Sequence, residues 1–168
     1  LFGKIDLKTS LGYIAAQLAG AVAGCLPLLV WGSLGRSIDF GATIPGQGYS
    51  TFMVLMGEMI TTFCLVAGLI LFIGFRNIRR YTPYMIPFLY AIMVPLEADI
   101  SGTSTNPARS MGPAVVSGEW SGWWIYWVGP VAGTLIASVA LSAVAKRITE
   151  AKLYHFDTDK DRLLRKSC

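Results

Sequence analysis

The 168 residues suffice for one domain, and 54% of them are hydrophobic while only 14% are charged. The mean hydropathy of +0.54 excludes an ordinary soluble domain, and the apolar residues come in long blocks. The formal charge of +4 does not indicate a nucleic-acid partner, because the basic residues are not interleaved with exposed aromatic residues on one face. The three cysteines, Cys25, Cys64 and Cys168, have no metal or redox spacing, so we predict no metal, cofactor or disulfide.

The first apolar block, Leu11–Trp31, has the length of about 20 residues that a membrane-spanning helix needs. Gly20 and Gly24 form a GxxxG pattern in it, which predicts close packing against another helix. We expect Pro27 to kink the outer third of this helix. The glycine-rich stretch Gly32–Ser50 follows and is predicted to be an irregular loop.

The second block, Thr51–Phe75, contains one charged residue, Glu58, well inside the apolar run. A carboxylate at membrane depth is costly unless it is paired or hydrogen-bonded. We therefore expect Glu58 to face the interior of the helix bundle in a functional or structural polar role.

The third block, Tyr81–Leu96, is short for a membrane span. We expect Pro95, followed by Glu97 and Asp99, to close it. The two carboxylates are then predicted near the outer mouth, where they are either solvated or paired with Arg109 or a loop backbone. The alternative is that they attract cations.

The segment Ser101–Ala114, SGTSTNPARSMGPA, is too short to span a membrane but contains a helix start. Asn106 is a favoured N-cap residue, and Pro107 suits the first helical position. The helix directs its positive end and its free N–H groups forward. Arg109 adds a cation there, which does not stabilise a helix N-terminus, so we interpret it as an electrostatic barrier facing a pore. The alternative is an extracellular loop with one surface arginine.

The last block, Trp123–Ala145, is predicted to be a fourth span. Aromatic residues crowd its start as an interfacial belt: Trp120, Trp123, Trp124, Tyr126 and Trp127. The polar stretch Lys146–Cys168 is predicted to be a solvated tail, with His155 as an ordinary surface histidine.

The distribution of basic residues predicts the orientation of the chain. Four spans place both ends on one side, and this side receives twelve of the fourteen lysines and arginines. Only Arg36 and Arg109 fall on the other side. Because lysine and arginine are enriched in cytoplasmic segments, both ends are predicted to be cytoplasmic and the segment around Asn106 to enter from outside. Irregular backbone at membrane depth is tolerated where it is buried in protein or lines a wet cavity.

The sequence STNPARSMGPA, followed by a tryptophan-rich start and WVGP in the next span, resembles the second half of an aquaporin-family channel over Leu11–Ala145. Family members have six spans and two NPA half-helices related by inverted repetition. The chain resembles the third to sixth spans and the second half-helix, so we expect a truncated or partial sequence. The implied fold is an all-α membrane protein, a partial aquaporin-like bundle of four transmembrane helices plus one re-entrant half-helix. Residues 1–145 would form this channel portion and residues 146–168 a cytoplasmic tail.

The resemblance also implies partners and a location. The partners would be the lipid bilayer and water, with assembly as a homotetramer that has one pore per subunit. The location would be the plasma membrane, with the chain crossing it several times.

The resemblance implies roles for the residues around the NPA motif. Asn106 would donate its amide N–H to passing water at the narrow midpoint, and Arg109 would be the arginine of the selectivity filter. Glu58 matches the buried glutamate that holds the backbone of the half-helix loop. The remaining pore residues implied are the rest of the motif, Pro107 and Ala108, and three residues whose carbonyl groups would line the path as hydrogen-bond acceptors: Gly102, Thr103 and Ser104.

Selectivity follows from a second set of positions. Those that separate water channels from glycerol facilitators carry residues of the water type: Ser110, Ala114, Tyr126 and Trp127. The filter departs from this type, because Val94 occupies the position where water-specific members carry histidine, and Thr103 fills the neighbouring position. Valine is smaller and offers no hydrogen bond, so we expect a wider, less polar constriction that also admits small neutral solutes. A glycerol or small-solute facilitator is the alternative selectivity.

Two other classes of function remain as alternatives to a passive pore. Half of an ion-coupled secondary transporter also has broken helices whose N-termini point at substrate. Such a transporter calls for several buried ionisable residues, and from the sequence only Glu58 qualifies. A membrane enzyme lacks the parts for nucleophilic or metal chemistry, since the spans contain no histidine and no carboxylate pair on one helix face.

Overall fold

A computed structural model describes residues 5–146 and 148, and all regular structure within them is helical. Three short 3₁₀ turns connect helices, at Leu26–Trp31, Asp39–Gly41 and Arg79–Tyr81. The α-helices are α1 Leu7–Cys25, α2 Gly32–Ser37, α3 Thr51–Gly74, α4 Thr82–Ser101, α5 Pro107–Ser117, α6 Ile125–Ala140 and α7 Ser142–Ala145. The all-α prediction is confirmed. Of the predicted tail, only Lys146 and Ile148 are described, and His155 and Cys168 lie outside the described residues.

In the described part of the chain, three helical stretches are long and apolar enough to cross a membrane: Leu7–Ser37, Thr51–Gly74 and Arg79–Ser101. The predicted fourth span is divided, because α6 has only 16 residues and a break at Leu141 separates it from α7. Three tryptophans before α6 are exposed, as expected for residues at a membrane surface: Trp120, Trp123 and Trp124. The prediction that Tyr126 belongs to the same belt is wrong, because this side chain is buried in the helix bundle.

Helix α1 begins at an N-cap and ends where a 3₁₀ segment begins. The Asp6 carboxylate accepts the Thr9 N–H at 2.9 Å, and this hydrogen bond lowers the pKa of Asp6 below its usual value. The α-helix ends at Cys25, and Pro27 lies in the first turn of the 3₁₀ segment that follows, where a kink was predicted.

The close packing predicted at Gly20 and Gly24 is not found within the described residues, where nothing lies within 4 Å of a Cβ built on either glycine. Instead, α1 is approached by α5 through Gly112. A Cβ on Gly112 would lie 2.7 Å from the Ala21 carbonyl oxygen. The contact therefore uses a glycine of the short helix.

The connection between α1 and α3 is partly regular, although an irregular loop was predicted over all of it. Helix α2 and the 3₁₀ turn that follows occupy its first part. The remainder crosses the end of α4, where the Gly46 N–H donates to the Ile100 carbonyl oxygen at 2.8 Å. A Cβ on Gly46 would lie 1.9 Å from the Asp99 carbonyl oxygen, so only glycine allows this approach.

Helices α3 and α6 cross closely because α6 presents two glycines four positions apart. A Cβ on Gly133 would lie 2.4 Å from the Met59 carbonyl oxygen, and one on Gly129 would lie 2.7 Å from the Glu58 Cβ. These glycines form a GxxxG pattern that our sequence analysis did not use. Their crossing fixes Glu58 between the helices.

The prediction that Pro95, Glu97 and Asp99 close the third span is wrong. Helix α4 continues through all three residues to Ser101 and ends at Gly102, which is left-handed with φ of 86°. Proline bends a helix that tertiary contacts hold together without always ending it, and glycine supplies the left-handed C-terminal cap. Asp99 is exposed, but Glu97 is only 5% exposed, so it is neither solvated nor at a mouth.

Candidate pore site

The loop 102–106 joins α4 to α5 and is polar but buried. Thr103, Ser104 and Thr105 are all buried. Thr103 has φ of 50° and Thr105 has φ of 55°, a left-handed conformation that β-branched residues rarely adopt. Such backbone persists only where the surroundings hold it in place, and it is typical of functional sites.

The Glu58 carboxylate holds this loop. Its Oε1 accepts the Ser104 N–H at 2.7 Å, and its Oε2 accepts the Thr105 N–H at 2.8 Å. The Ser101 hydroxyl lies 2.6 Å from Oε1. Glu58 has no exposed surface, and these donors replace the water that a buried carboxylate would otherwise need.

Helix α5 begins as the sequence predicts. Asn106 is the N-cap, its Oδ1 accepts the Ala108 N–H at 2.9 Å, and Pro107 is the first helical residue. Ala108 is buried and Asn106 is exposed. Because the cap uses the amide oxygen of Asn106, its NH₂ group is available to donate.

Asn106 and Pro107 open onto a cavity of about 390 Å³ between α1, α3, α4 and α6. Gln17, Tyr90 and Thr105 supply polar groups to its wall, and the Tyr90 hydroxyl lies 2.7 Å from the Thr105 hydroxyl. The sequence analysis missed Gln17 and Tyr90. The signal available for Gln17 was that it is the one polar residue in the first apolar block.

Arg109 is exposed and is anchored by the connection between α1 and α3. Its Nη1 donates to the Gly41 carbonyl oxygen at 2.9 Å.

Val94 lies on α4 and is 41% exposed. The Ser104 carbonyl accepts the Thr105 hydroxyl at 2.7 Å, which uses one lone pair of an oxygen that the resemblance places on the path. Gly102 lies against Thr43, whose Cγ2 would be 3.2 Å from an added Cβ.

The four residues that match water channels by resemblance lie close together, away from the cavity that Asn106 lines. They surround a crevice of about 10 Å³, the size of about one water. Their shared wall is formed by Ser110, Ala114, Tyr126 and Trp127, with Thr43. The Ser110 hydroxyl accepts from Thr43 at 2.6 Å and contacts the Ser104 hydroxyl. These side chains therefore pack behind the loop rather than on the large cavity.

Tyr126 also supports the loop from α6. It is 1% exposed, and its hydroxyl donates to the Ser101 carbonyl oxygen at 2.9 Å. The carbonyl belongs to the last residue of α4, so Tyr126 fixes the point where the loop begins.

Residues 1–141 match the family model described as Major intrinsic protein. The chain belongs to the major intrinsic protein family. Aquaporin A of Dictyostelium discoideum is 32% identical over an alignment of 148 residues that covers 82% of this chain and 51% of the relative. Aquaporin-4 of Homo sapiens is 37% identical over 142 residues, 80% of this chain and 42% of the relative.

A third relative, the probable aquaporin TIP4-2 of Oryza sativa subsp. japonica, is 35% identical over 158 residues, 89% of this chain and 58% of the relative. This major intrinsic protein thus spans about half the length of the curated relatives it matches. The predicted family is confirmed, and with its apolar helices the chain is an integral membrane protein.

The prediction that Glu58 alone is a buried ionisable residue of this major intrinsic protein is wrong. Glu97 is buried beside it, and both carboxyl groups contact the Ser101 hydroxyl. Glu97 and Ser101 are four positions apart and therefore share one face of α4. That spacing was the available signal.

Proposed function

We propose that this chain lines a passive transmembrane pathway for water. The observation that supports this most directly is the start of α5 at the cavity of about 390 Å³. There the Asn106 cap leaves amide N–H groups free to donate to a water molecule. The positive end of α5 and the nearby Arg109 disfavour cations and protons in the same place.

Family membership and the half-helix loop support the same proposal. The loop is held in a strained conformation by Glu58, an arrangement that fixes where its carbonyl groups and Asn106 lie. Fixed donors and acceptors can replace the hydrogen bonds that a single water molecule loses on leaving bulk solvent.

We further propose that small neutral solutes pass with water. Val94 and Thr103 occupy the filter positions where a larger, polar pair would narrow the path, and Val94 cannot hydrogen-bond through its side chain. A glycerol facilitator is the alternative selectivity.

We propose that the protein is a homotetramer in the plasma membrane, with one pathway per subunit and both ends of this chain cytoplasmic. The family supports the assembly, and the concentration of basic residues on one side supports the orientation. Labelling of a Glu119→Cys variant from outside intact cells tests the orientation. Labelling that occurs only after permeabilisation would show that the proposed orientation is reversed.

Stopped-flow swelling of proteoliposomes that contain the chain tests the water pathway. We expect rapid water flux under an osmotic gradient with no ion gradient, well above that of empty vesicles. Asn106→Asp keeps a capping oxygen but replaces the donating NH₂ with an anion, so it should admit cations while water still passes. Flux equal to that of empty vesicles would overturn the proposal.

A second candidate, half of a proton-coupled transporter, is favoured by one observation: Glu97 adds a buried carboxyl group next to Glu58. Coupled transporters use such groups to carry protons. Solute flux that vanishes when the proton gradient is removed would support this candidate, and flux that persists would exclude it.

A further inference from the structure

Helix α4 carries a buried carboxyl group, Glu97, that has no part in the proposed pathway. Glu97 is 5% exposed, its Oε1 contacts the Ser101 hydroxyl, and its Oε2 is buried with no hydrogen-bond partner within the described residues. Gly57 of α3 makes room for it, since a Cβ there would lie 2.4 Å from the Glu97 Oε1.

The other surroundings of Glu97 are mainly apolar; the exceptions are Cys64 and Thr61, whose hydroxyl donates to the Gly57 carbonyl oxygen. Glu97 borders a cavity of about 390 Å³ between α3 and α4 whose wall includes Ile60, Leu89, Met93 and Leu96. A carboxylate with an unpartnered oxygen beside such a wall, at membrane depth, is strongly disfavoured relative to a neutral carboxylic acid.

The contacts of the Ser101 hydroxyl restrict which group of this cluster can donate a proton. Its oxygen lies 2.6 Å from the Glu58 Oε1 and also contacts the Glu97 Oε1. A hydroxyl group has one proton and can donate only one full hydrogen bond. The second contact is attractive only if the other carboxyl group is protonated and donates to the serine oxygen.

The contacts of Glu58 favour its ionised form. It accepts two backbone N–H groups, from Ser104 and Thr105, which can only donate. Donors of this kind favour the charged form of a carboxyl group, and Glu97 has no N–H donor among its described contacts. Among the described residues, the titratable groups that face this cluster from the neighbouring helices are Glu58 and Cys64 of α3 and Tyr126 of α6.

We infer that Glu97 is a neutral carboxylic acid that donates from Oε1 to the Ser101 hydroxyl, which donates in turn to the Glu58 carboxylate. Glu97 is thereby a positioning residue for the loop that begins at Gly102. It acts through Ser101 and Glu58 and touches no part of the cavity that Asn106 lines.

Infrared spectroscopy of the full chain in lipid vesicles at neutral pH tests the protonation. We expect a carbonyl-stretch band of a protonated carboxylic acid that is lost in Glu97→Gln and kept in Glu119→Gln, which removes a carboxyl group of the loop before α6. In Ser101→Ala the band should remain but shift to higher frequency, because the acid loses its acceptor. No band in the unaltered chain, or a band that survives Glu97→Gln, would overturn the inference.

Water permeability tests the positioning role, and this part rests on the proposed function. The amide of Glu97→Gln can donate to Ser101 as the acid does, so permeability should stay within about twofold of the unaltered chain. Glu97→Leu cannot donate, and we expect permeability to fall roughly tenfold at equal folded protein. Equal permeability of the two variants would refute the positioning role. If neither these variants nor the unaltered chain conducts water while the infrared result holds, the proposed function fails and the proton assignment stands.

Discussion

The Nη1 of Arg109 donates to the carbonyl oxygen of Gly41 at 2.9 Å, across 68 positions of sequence. Gly41 has φ of 77° and follows Phe40, which is itself left-handed with φ of 50° and buried. The charge nearest the start of α5 is thus positioned by a turn in a distant connection. Whatever moves this turn should move the guanidinium.

Replacing Arg109 with alanine should raise the passage of larger neutral solutes and protons severalfold, because the fixed charge and its volume are both lost. The measurement is stopped-flow permeability of proteoliposomes to water, urea and glycerol, with a pH-sensitive dye inside. Arg36→Ala removes another cation of the same predicted side and is the control. Unchanged selectivity in Arg109→Ala would contradict a filter role.

Replacing Gly41 with alanine should change selectivity in the same direction as Arg109→Ala. An L-residue in a left-handed conformation costs about 1–2 kcal/mol, so the turn should relax and release Arg109. Gly48→Ala is the matched control, because Gly48 has φ of 84° and open space around its Cβ position, as Gly41 has. Equal solute permeability ratios in the two variants would count against a link between the turn and Arg109.

Removing the Glu58 carboxylate should chiefly lower the yield of folded protein. Glu58→Ala strips the acceptor from two buried N–H groups, and each unsatisfied buried group costs about 1–3 kcal/mol. Yield and thermal unfolding in detergent provide the readout. Glu119→Ala, at a half-buried loop position whose carboxylate accepts the Ser121 N–H, should behave like the unaltered chain. A Glu58→Ala protein with normal yield and normal water flux would disprove this account.

The crossing of α3 and α6 should not tolerate a methyl group. In Gly133→Ala the new Cβ would lie 2.4 Å from the Met59 carbonyl oxygen, so the helices must separate, at a cost of about 1–3 kcal/mol. Gly20→Ala also replaces a helical glycine, but nothing lies within 4 Å of its Cβ position. This control should be neutral or slightly stabilising because alanine favours helix. A smaller loss of thermal stability in Gly133→Ala than in Gly20→Ala would show that the crossing is looser than described.

Removing the Tyr126 hydroxyl tests whether its hydrogen bond to the start of the loop stabilises the protein in addition to the packing of its ring. Tyr126→Phe loses the hydrogen bond to the Ser101 carbonyl oxygen, worth about 1 kcal/mol, while the ring remains in place. Tyr84→Phe, at a side chain that is 73% exposed, is the control. Thermal unfolding should report the loss in Tyr126→Phe alone. Identical unfolding temperatures would mean that the loop start does not depend on this contact.

Local signals explain most of what could be predicted. The cap at Asn106 and the helix start at Pro107 depend on chemistry within three residues, so they were readable directly. The end of α4 could not be predicted in this way, because Pro95, Glu97 and Asp99 locally favour the end of a helix. The helix continues to Ser101 because Gly57 accommodates Glu97 from another helix.

The sequence alone determined that the chain crosses a membrane, that a short helix starts at Asn106 and that Glu58 needs buried partners, because hydropathy, capping and desolvation are properties of single residues and their neighbours. The tertiary structure decided which groups satisfy Glu58, where Arg109 is anchored and that Glu97 joins the same cluster. The contacts of Glu58 and Arg109 span 43 to 68 positions, and Glu97 reaches the cluster because Gly57 leaves room for it. No local pattern specifies which helix faces meet, so only the packed fold could settle them.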